Sequence, residues 1–430
     1  METIKIGMLG IGTVAKGTYR TLEMNRRKIE EATGVSLEIT KILNRHPERD
    51  RGIDIPKEKY VTDADEIFHD PEIQIVVELI GGIDTATEYM AQALASGKHV
   101  VTANKAAIMA NGQMLQELAQ ENHVLLRFEA SVAGGIPILT AIQDPLAANE
   151  FSEILGILNG TTNYILTQMT EHGTNYAVAL RDAQEKGFAE ADPTADVEGI
   201  DMGNKLSILI SMIYGFGLPQ SQIPTKGITD IASADIEFAK EFGYRIKLLA
   251  SAKKKGSKLE ASVQPTLVPE DHVMAGINNE YNAVYLSGNA VGDLMLYGKG
   301  AGSMPTGSAV AGDIISVARE IQKGSAYDLT PPLRYDAKLY YNGEGNSKYY
   351  IRLAAVDRPG MLGRIGSVFG RHGIGIQTMI QRSGGNSYSK TVPVIFIVYD
   401  INRSNLQTAL NEIEQEKSVM SVENVLRVLK

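Results

Sequence analysis

The order of apolar and polar positions predicts an α/β arrangement in the N-terminal part of the chain. Residues 4–9 form an apolar run typical of a buried strand, and a glycine turn at 10–15 leads into a segment of helical composition that ends near Glu31. Further apolar runs alternate with helix-like segments, as in a parallel sheet with crossover helices. The runs are 38–43, 74–80, 99–102 and 124–128, and the helical segments include 85–96 and 106–121. We expect a Rossmann-type doubly wound sheet over 1–140.

A second α/β region is predicted over 141–304. Its strands are expected at 151–157, 244–251, 258–267 and 282–287, its helices at 175–186 and 195–214, and a polar turn at 159–163. The glycine-rich stretch 298–312 leads into a predicted helix at 309–321. We expect a helix near 305–322 to return to the first domain and complete it.

The C-terminal part predicts a third domain. Prolines 331 and 332 and the polar stretch 342–346 indicate a linker over 323–348. The following pattern predicts strands at 349–356, 374–382, 392–399 and 419–428, with helices at 361–371 and 403–416. This βαββαβ order is that of a ferredoxin-like fold, over 349–430.

Composition excludes several classes of function. The 430 residues include 42 basic and 51 acidic side chains, a net charge of -9, so no basic surface for nucleic acid is expected. Cysteine is absent, which excludes disulfides, thiolate metal sites and thiol nucleophiles. The seven histidines never fall three to five positions apart, so a catalytic zinc is not expected. The longest nearly apolar stretch, 206–219, is too short for a membrane span, and the N-terminus does not look like a signal peptide, so we predict a cytoplasmic protein.

The glycine turn predicts a dinucleotide site. Gly10, Gly12 and Ala15 match G-x-G-x-x-G/A between a strand and a helix, although a structural turn would give the same spacing. No carboxylate follows the second strand at 44–46, where Arg45 could meet a 2′-phosphate, and this favours NADP over NAD. A surface arginine is the alternative.

A hydride transfer to a carbonyl also needs a proton donor. No tyrosine is followed four residues later by lysine, so the sequence lacks the Tyr-x-x-x-Lys pair that supplies the proton in short-chain dehydrogenases. Asp201 and Lys205 share one face of a predicted helix that continues into an apolar run, where a lysine can be held for proton transfer. A plain helix salt bridge is the alternative.

Several stretches together resemble homoserine dehydrogenase. They are Gly10–Val14, Thr102–Lys105, Glu129–Pro137, Gly156–Tyr164 and Asp192–Lys205. The stretch Val356–Leu362 resembles the start of an ACT domain, an amino-acid-sensing module. The resemblance implies an NAD(P)-dependent enzyme of threonine, isoleucine and methionine biosynthesis that interconverts L-aspartate 4-semialdehyde and L-homoserine, as a homodimer or homotetramer. It also implies that 141–304 is the substrate and dimerisation domain.

The resemblance also implies roles for individual residues. Lys205 would be the proton donor, Asp201 its partner, and Lys105 would lie near both nicotinamide and substrate. The implied cofactor-binding residues are Gly10, Gly12, Thr13, Val14, Arg45, Lys105 and Gly302. The implied substrate-binding residues are Gly187, Glu190, Asp196, Asn159, Gly160 and Thr161, although an N-cap alone would explain the composition of the turn at 159–163.

A monovalent cation, Na⁺, is implied at the turn 129–136. Its ligands would be Glu129 with carbonyls of Val132, Gly134 and Ile136, and the alternative is that Glu129 caps a helix. The ACT domain would bind threonine near Arg358–Gly360, unless that turn only begins a helix.

Two other functions are alternatives to homoserine dehydrogenase. One is a ligand sensor without turnover, and the other is a related reductase acting on another amino-acid-derived carbonyl.

Overall fold

The computed structural model describes residues 1–49, 51–324, 340–341, 343, 345–382 and 391–430. The chain divides into two compact units. The first contains Met1–Ser152, Asn204–Gln222 and the segment from Asn282 to the linker. The second contains Glu153–Gly203, Ile223–Tyr281 and the described residues after the linker. Each unit combines three separate segments of the chain, whereas the expected domains were continuous apart from the returning helix near 305–322. The expected boundaries remain a prediction.

The first unit contains a six-stranded parallel sheet. Its strands lie in the order β3-β2-β1-β4-β5-β6, which is that of a dinucleotide-binding fold. The central strands β1 and β4 are mostly apolar and buried because helices cover both faces of such a sheet. The strands are β1 (Glu2–Leu9), β2 (Val35–Leu43), β3 (Tyr60–Val61), β4 (Ile73–Glu78), β5 (His99–Thr102) and β6 (Leu126–Arg127).

The N-terminal helices follow the predicted alternation with one correction. The single helix expected up to Glu31 is two helices, because the chain leaves helical geometry at Asn25, where φ is −110°. The second of them ends at Gly34, which adopts the left-handed conformation that glycine tolerates. The helices are α1 (Thr13–Met24), α2 (Arg26–Thr33), α3 (Asp65–Phe68), α4 (Asp84–Ala95), α5 (Lys105–Glu121) and α6 (Ile138–Gln143).

Two predicted helices in the middle of the chain have other bounds in the structure, and the helix Ser233–Glu241 and the strand Gly292–Lys299 were not predicted. The helix expected at 195–214 is broken at Gly199, which has φ +80°. The helix expected at 309–321 from its pattern, and near 305–322 as the returning helix, spans Ser303–Lys323, because the glycine-rich stretch ends in the N-cap Gly302 and a proline is tolerated in the first helical turn. The elements are β7 (Phe151–Ile157), α7 (Gly160–His172), α8 (Tyr176–Glu185), α9 (Thr194–Val197), α10 (Ile200–Tyr214), α11 (Ser233–Glu241), β8 (Tyr244–Lys255), β9 (Lys258–Pro269), β10 (Tyr281–Gly288), β11 (Gly292–Lys299) and α12 (Ser303–Lys323).

Helix α12 packs against α1 within the first unit. A Cβ at Gly307 would lie 2.4 Å from the backbone of Gly17, so only glycine allows the two helices to approach this closely. The hydroxyl of Ser303 donates to the carbonyl of Thr13 at 2.7 Å. The apolar side of α12, which includes Val310, belongs to the same core as β1 and β2.

The C-terminal part has the predicted ferredoxin-like topology. Four antiparallel strands lie in the order β16-β13-β15-β14, with two helices packed on them. The last strand also pairs in parallel with β9, through Arg427 and Val428. The elements are β12 (Tyr340–Tyr341), β13 (Ser347–Ala355), α13 (Met361–Arg371), β14 (Ile376–Gln381), β15 (Val392–Ile401), α14 (Arg403–Glu414) and β16 (Val419–Val428). Most of the predicted linker, including 325–339, lies outside the described residues.

A buried polar cluster connects α11 to the C-terminal sheet. The carboxylate of Asp235 is fully buried and accepts hydrogen bonds from Arg352 Nε at 2.7 Å, Tyr350 Oη at 3.0 Å and Asn424 Nδ2 at 2.9 Å. A buried carboxylate needs such partners to remain charged.

Among the described helices, none is long and apolar enough to cross a membrane.

Candidate active site

The glycine turn after β1 has the geometry of a phosphate-binding turn. Gly10 adopts φ +98°, and a Cβ there would lie 2.9 Å from Ile80 and 3.0 Å from the carbonyl oxygen of Leu79. Gly12 is the N-cap of α1, so the unpaired N–H groups of the first helical turn, which includes Thr13 and Val14, are available to an anion.

A cavity of about 390 Å³ lies beside this turn in the first unit. Its lining brings Arg45 together with Gly10 and Gly12, as the dinucleotide prediction requires. Arg45 is exposed. Further lining residues include Asn44, His46, Arg51, Ile80, Gly81 and Tyr89.

Arg51 is a cation of this cavity that sequence reasoning missed. Its guanidinium donates from Nη2 to Asn44 Oδ1 at 2.9 Å, and its carbonyl accepts from Lys16 Nζ at 3.1 Å. Arg51 Nε and Asn44 Nδ2 are buried donors with no hydrogen-bond partner among the described residues. Unpaired buried donors are rare, and here they fit a ligand rich in phosphate and ribose oxygens. Arg51 follows β2 in an irregular segment with no motif to reveal it.

Glu78 holds the backbone of Ile80, which lines this cavity, and was also missed by sequence reasoning. One of its carboxylate oxygens accepts from the hydroxyl of Thr102 at 2.6 Å, and the other accepts from the N–H of Ile80 at 2.8 Å. Glu78 is fully buried at the end of β4, so these hydrogen bonds fix the turn that follows.

Lys105 is half-buried and is the first residue of α5. Asn104 caps this helix, because its side-chain oxygen accepts from the N–H of Ala107 at 3.1 Å.

The predicted substrate residues meet in the second unit around Asn159. Its side-chain oxygen caps α7 by accepting from the N–H of Thr162 at 2.9 Å. Its side-chain nitrogen donates to Asp196 Oδ1 at 2.7 Å and to Asp201 Oδ2 at 3.0 Å. One amide therefore forms the N-cap and also holds two carboxylates that would otherwise repel each other.

Thr161 connects the turn at 159–163 with the acidic segment that contains Asp196. Its hydroxyl lies 2.5 Å from the carbonyl of Phe188 and 3.2 Å from Asp196 Oδ2. Gly160 has no room for a side chain, since a Cβ there would lie 2.7 Å from the carbonyl oxygen of Glu280.

The remaining predicted substrate and catalytic residues lie on α10 and on the loop that follows α8. Gly187 takes a left-handed turn with φ +75°. Glu190 is exposed, and its carbonyl accepts from Gln184 Nε2 at 3.1 Å. Asp201 is buried and Lys205, one turn later on α10, is half-buried.

Glu129 caps the helix α6, which is the alternative to its role as a cation ligand. Its carboxylate oxygens accept from the N–H groups of Leu139 at 2.9 Å and Thr140 at 2.6 Å, in the first turns of α6. Its own N–H donates to Asp313 Oδ2 at 2.9 Å. Burial raises the pKa of Glu129, and burial next to Glu129 raises the pKa of Asp313 to about 8. No group of three or more His, Asp or Glu side chains suited to a metal occurs among the described residues.

The backbone of the predicted cation turn is nevertheless unusual. Gly134 adopts φ +56° and approaches Gly300 so closely that a Cβ would lie 2.3 Å from its carbonyl oxygen. Val132 and Ile136 are buried on either side. Gly302, two residues after Gly300, has φ +113° and caps α12.

Three family profiles cover most of the chain. The profile "Homoserine dehydrogenase, NAD binding domain" matches residues 10–129, "Homoserine dehydrogenase" matches 137–315, and "ACT domain" matches 349–417. The homoserine dehydrogenase of Bacillus subtilis is 37% identical over 427 residues, which cover 99% of each chain.

Solved structures agree with the family profiles. A homoserine dehydrogenase crystal structure from Thiobacillus denitrificans has a TM-score of 0.92 and 36% identity, covering 100% of this chain and 99% of that one. A hyperthermophilic archaeal homoserine dehydrogenase in complex with NADPH has a TM-score of 0.62 and 26% identity, covering 73% of this chain and 97% of that one. The predicted fold class is confirmed, and a nicotinamide cofactor is supported. The chain belongs to the homoserine dehydrogenase family of nicotinamide-dependent oxidoreductases, with an ACT domain at its C-terminal end.

Proposed function

We propose that the acidic pair held by Asn159 belongs to the site that binds L-homoserine and L-aspartate 4-semialdehyde. The observation that carries this proposal is the amide of Asn159, which bridges Asp196 and Asp201. Two carboxylates kept together by a neutral donor suit a substrate that carries an ammonium group. Gly187, Glu190 and the turn residues Gly160 and Thr161 complete the proposed substrate-binding set, with Asp196 supporting the ammonium ligands.

Lys205 is proposed as the proton donor to the carbonyl oxygen of the aldehyde. When bound, the nicotinamide supplies the hydride in reduction and accepts it in oxidation. As the aldehyde carbon is reduced, its oxygen becomes an alkoxide, and the Lys205 ammonium gives up one proton to form the hydroxyl of homoserine. Asp201, one turn earlier on the same face of α10, would orient this lysine. Lys105 is proposed to lie near nicotinamide and substrate.

We propose NADP(H) as the preferred cofactor, with NAD(H) as a weaker one. The glycine turn of Gly10 and Gly12 with Thr13 and Val14 would hold the pyrophosphate, and Gly302 would approach the cofactor. Arg45 and Arg51 line the same cavity, and a guanidinium is well suited to a 2′-phosphate. The unpaired donors of Asn44 and Arg51 support the same assignment.

Other expectations from the sequence stay proposals. We propose Na⁺ at Glu129 with carbonyls of Val132, Gly134 and Ile136, threonine as effector of the ACT domain, and a cytoplasmic homodimer or homotetramer. The domain boundaries 1–140, 141–304 and 349–430 have the same standing. Equilibrium binding of threonine that changes neither rate nor stability would argue against feedback.

The experiment that tests the proposed function is nicotinamide absorbance during incubation of the purified protein with L-homoserine and NADP. Parallel assays replace NADP by NAD, and homoserine by L-serine or L-threonine. Oxidation confined to homoserine, and faster with NADP, is the expected result. No absorbance change with any substrate despite NADP binding would favour a sensor, and preference for another substrate would favour a related reductase.

A further inference from the structure

Lys247 is a lysine in the middle of a buried strand. It lies in β8 between apolar residues of the second unit, and only 3% of it is exposed. Burial, together with nearby Arg245, lowers its pKa to about 7, although Glu171 acts in the opposite direction. A buried ammonium is costly unless its hydrogens find acceptors, so a lysine at this position requires a specific reason.

The acceptors of Lys247 are three neutral oxygens rather than a carboxylate. Its Nζ donates to the carbonyl of Ile277, to Asn278 Oδ1 at 3.0 Å and to Asn163 Oδ1 at 3.4 Å. Three donors thus meet three acceptors on two separate segments of chain. Lys247 therefore acts as a cross-link between α7 and the segment 277–281.

Asn163 extends this cross-link with the other end of its amide. Its Nδ2 donates to the carbonyls of Asn279 at 2.9 Å and Tyr281 at 3.0 Å. The N–H of Asn279 donates to the hydroxyl of Thr167 at 3.0 Å, one turn further along α7. Asn279 has φ +57°, a left-handed conformation that asparagine adopts more readily than most other non-glycine residues. These contacts orient α7 against the segment 277–281.

The first turn of α7 is also where the proposed substrate site is built. Asn159 caps this helix and holds Asp196 and Asp201, and Thr161 contacts Asp196 from the same turn. A shift of the helix start would therefore move the donors that hold both carboxylates. A displacement of about 1 Å in the groups that position a substrate has large effects on the reaction rate.

We propose that Lys247 is a positioning residue for the substrate site, acting through Asn163 and the segment 277–281 on the first turn of α7. This inference rests on the proposed role of Asn159 and Asp196 in binding the substrate. Lys247 itself touches neither of them. Its effect is to fix the helix start from which they are held.

The test compares Lys247→Met and Lys247→Gln with a matched control. Methionine keeps the length and removes the charge, and a buried ion replaced by an apolar side chain often leaves a protein folded. Glutamine keeps one donor group in case the methionine variant does not fold. Lys98→Met is the control, because Lys98 is also a buried lysine, 5% exposed, whose Nζ donates to the carbonyls of Asp70 and Ile73.

The first readout is the steady-state kinetics with homoserine and NADP varied separately. We expect the KM for homoserine to rise by about tenfold or more in the Lys247 variants, as for loss of a charged hydrogen bond, with the KM for NADP unchanged. Lys98→Met should leave the KM for homoserine at its original value. Unchanged values in the Lys247 variants, or equal changes for both substrates, would overturn the proposal.

A double variant tests the route through Asn163. If Lys247 acts through this residue, Lys247→Met combined with Asn163→Ala should raise the KM for homoserine no further than Asn163→Ala alone. Fully additive changes would overturn the route.

Hydrogen exchange separates this proposal from the proposed function. Backbone amides at the start of α7 should exchange faster in Lys247→Met than in the original protein, while Lys98→Met leaves them unchanged. This readout needs no turnover. A protein that oxidises no homoserine but shows faster exchange would contradict the proposed function alone, and unchanged exchange would contradict the positioning role.

Discussion

The side-chain nitrogen of Asn159 lies 3.0 Å from Oδ2 of Asp201, although the two residues are 42 positions apart. The same nitrogen lies 2.7 Å from Asp196 Oδ1, and the side-chain oxygen caps α7. Asn159 thus has a helix-capping role and a role in the proposed substrate site, and these two roles can be separated by substitution.

Asn159→Ser and Asn159→Ala should differ in stability but agree in activity. Serine caps a helix nearly as well as asparagine, whereas alanine costs about 1 kcal/mol of unfolding free energy. Neither keeps the nitrogen that bridges the carboxylates, so we expect kcat/KM for homoserine to fall by about 10- to 100-fold in both, equivalent to 1.4 to 2.7 kcal/mol. Urea unfolding and steady-state kinetics measure the two effects. A serine variant with the original kcat/KM would show that the bridge is not needed for the reaction.

Lys205→Ala should lower kcat by about 10²- to 10⁴-fold, which is the usual contribution of a positioned acid. Binding of NADP, followed by fluorescence of the reduced cofactor, should persist because the glycine turn is untouched. Lys240→Ala, at an exposed position of α11, is a matched control and should keep the original kcat. Unchanged turnover in Lys205→Ala would remove this lysine from the mechanism.

The two arginines of the dinucleotide cavity should discriminate between cofactors. Arg45→Ala and Arg51→Ala should each weaken NADPH binding by about tenfold or more and NADH binding much less, because only NADPH carries the 2′-phosphate. Dissociation constants from fluorescence titration give both numbers. Arg27→Ala removes an almost fully exposed arginine and serves as control. Equal losses for both cofactors would mean that neither arginine reads the phosphate.

The sequence predicts those features that depend on local spacing. The turn at Gly10, the strand at 151–157 and the helix over 361–371 follow from periodicity and from glycine, and the structure places them within a residue or two. The helical pattern at 309–321 does not reveal the first turn of α12, because Gly302 precedes that turn and Pro305 lies within it, although the returning helix expected near 305–322 begins within two residues of the observed start.

Contacts between distant residues could not be predicted. Asp196 and Asn159 were both candidates, but nothing local indicates that one amide joins two acids across 37 positions. Arg51 and Lys247 carry no motif, and the hydrogen-bond acceptors of Lys247 lie on helix α7 and on the segment 277–281. Their roles depend on tertiary packing, which a single sequence does not reveal.

Asp313 should make the protein less stable as the pH rises. Burial raises its pKa from 3.8 to about 8, so the folded state holds a proton that the unfolded state has lost between these values. Since the folded state binds more protons there, the unfolding free energy falls with increasing pH, by at most about 1.4 kcal/mol per pH unit from this group.

Asp313→Asn should reduce this dependence. Asparagine cannot ionise, and its side-chain oxygen can still accept from the N–H of Glu129. We expect the variant to lose less unfolding free energy than the original protein between pH 5 and about 8 in urea titrations. Asp271→Asn, at an exposed position, controls for the change of one carboxylate to an amide and should follow the original curve. Identical pH slopes for Asp313→Asn and the original protein would mean that Asp313 ionises in the folded state as readily as in water, which its burial on α12 beside Glu129 argues against.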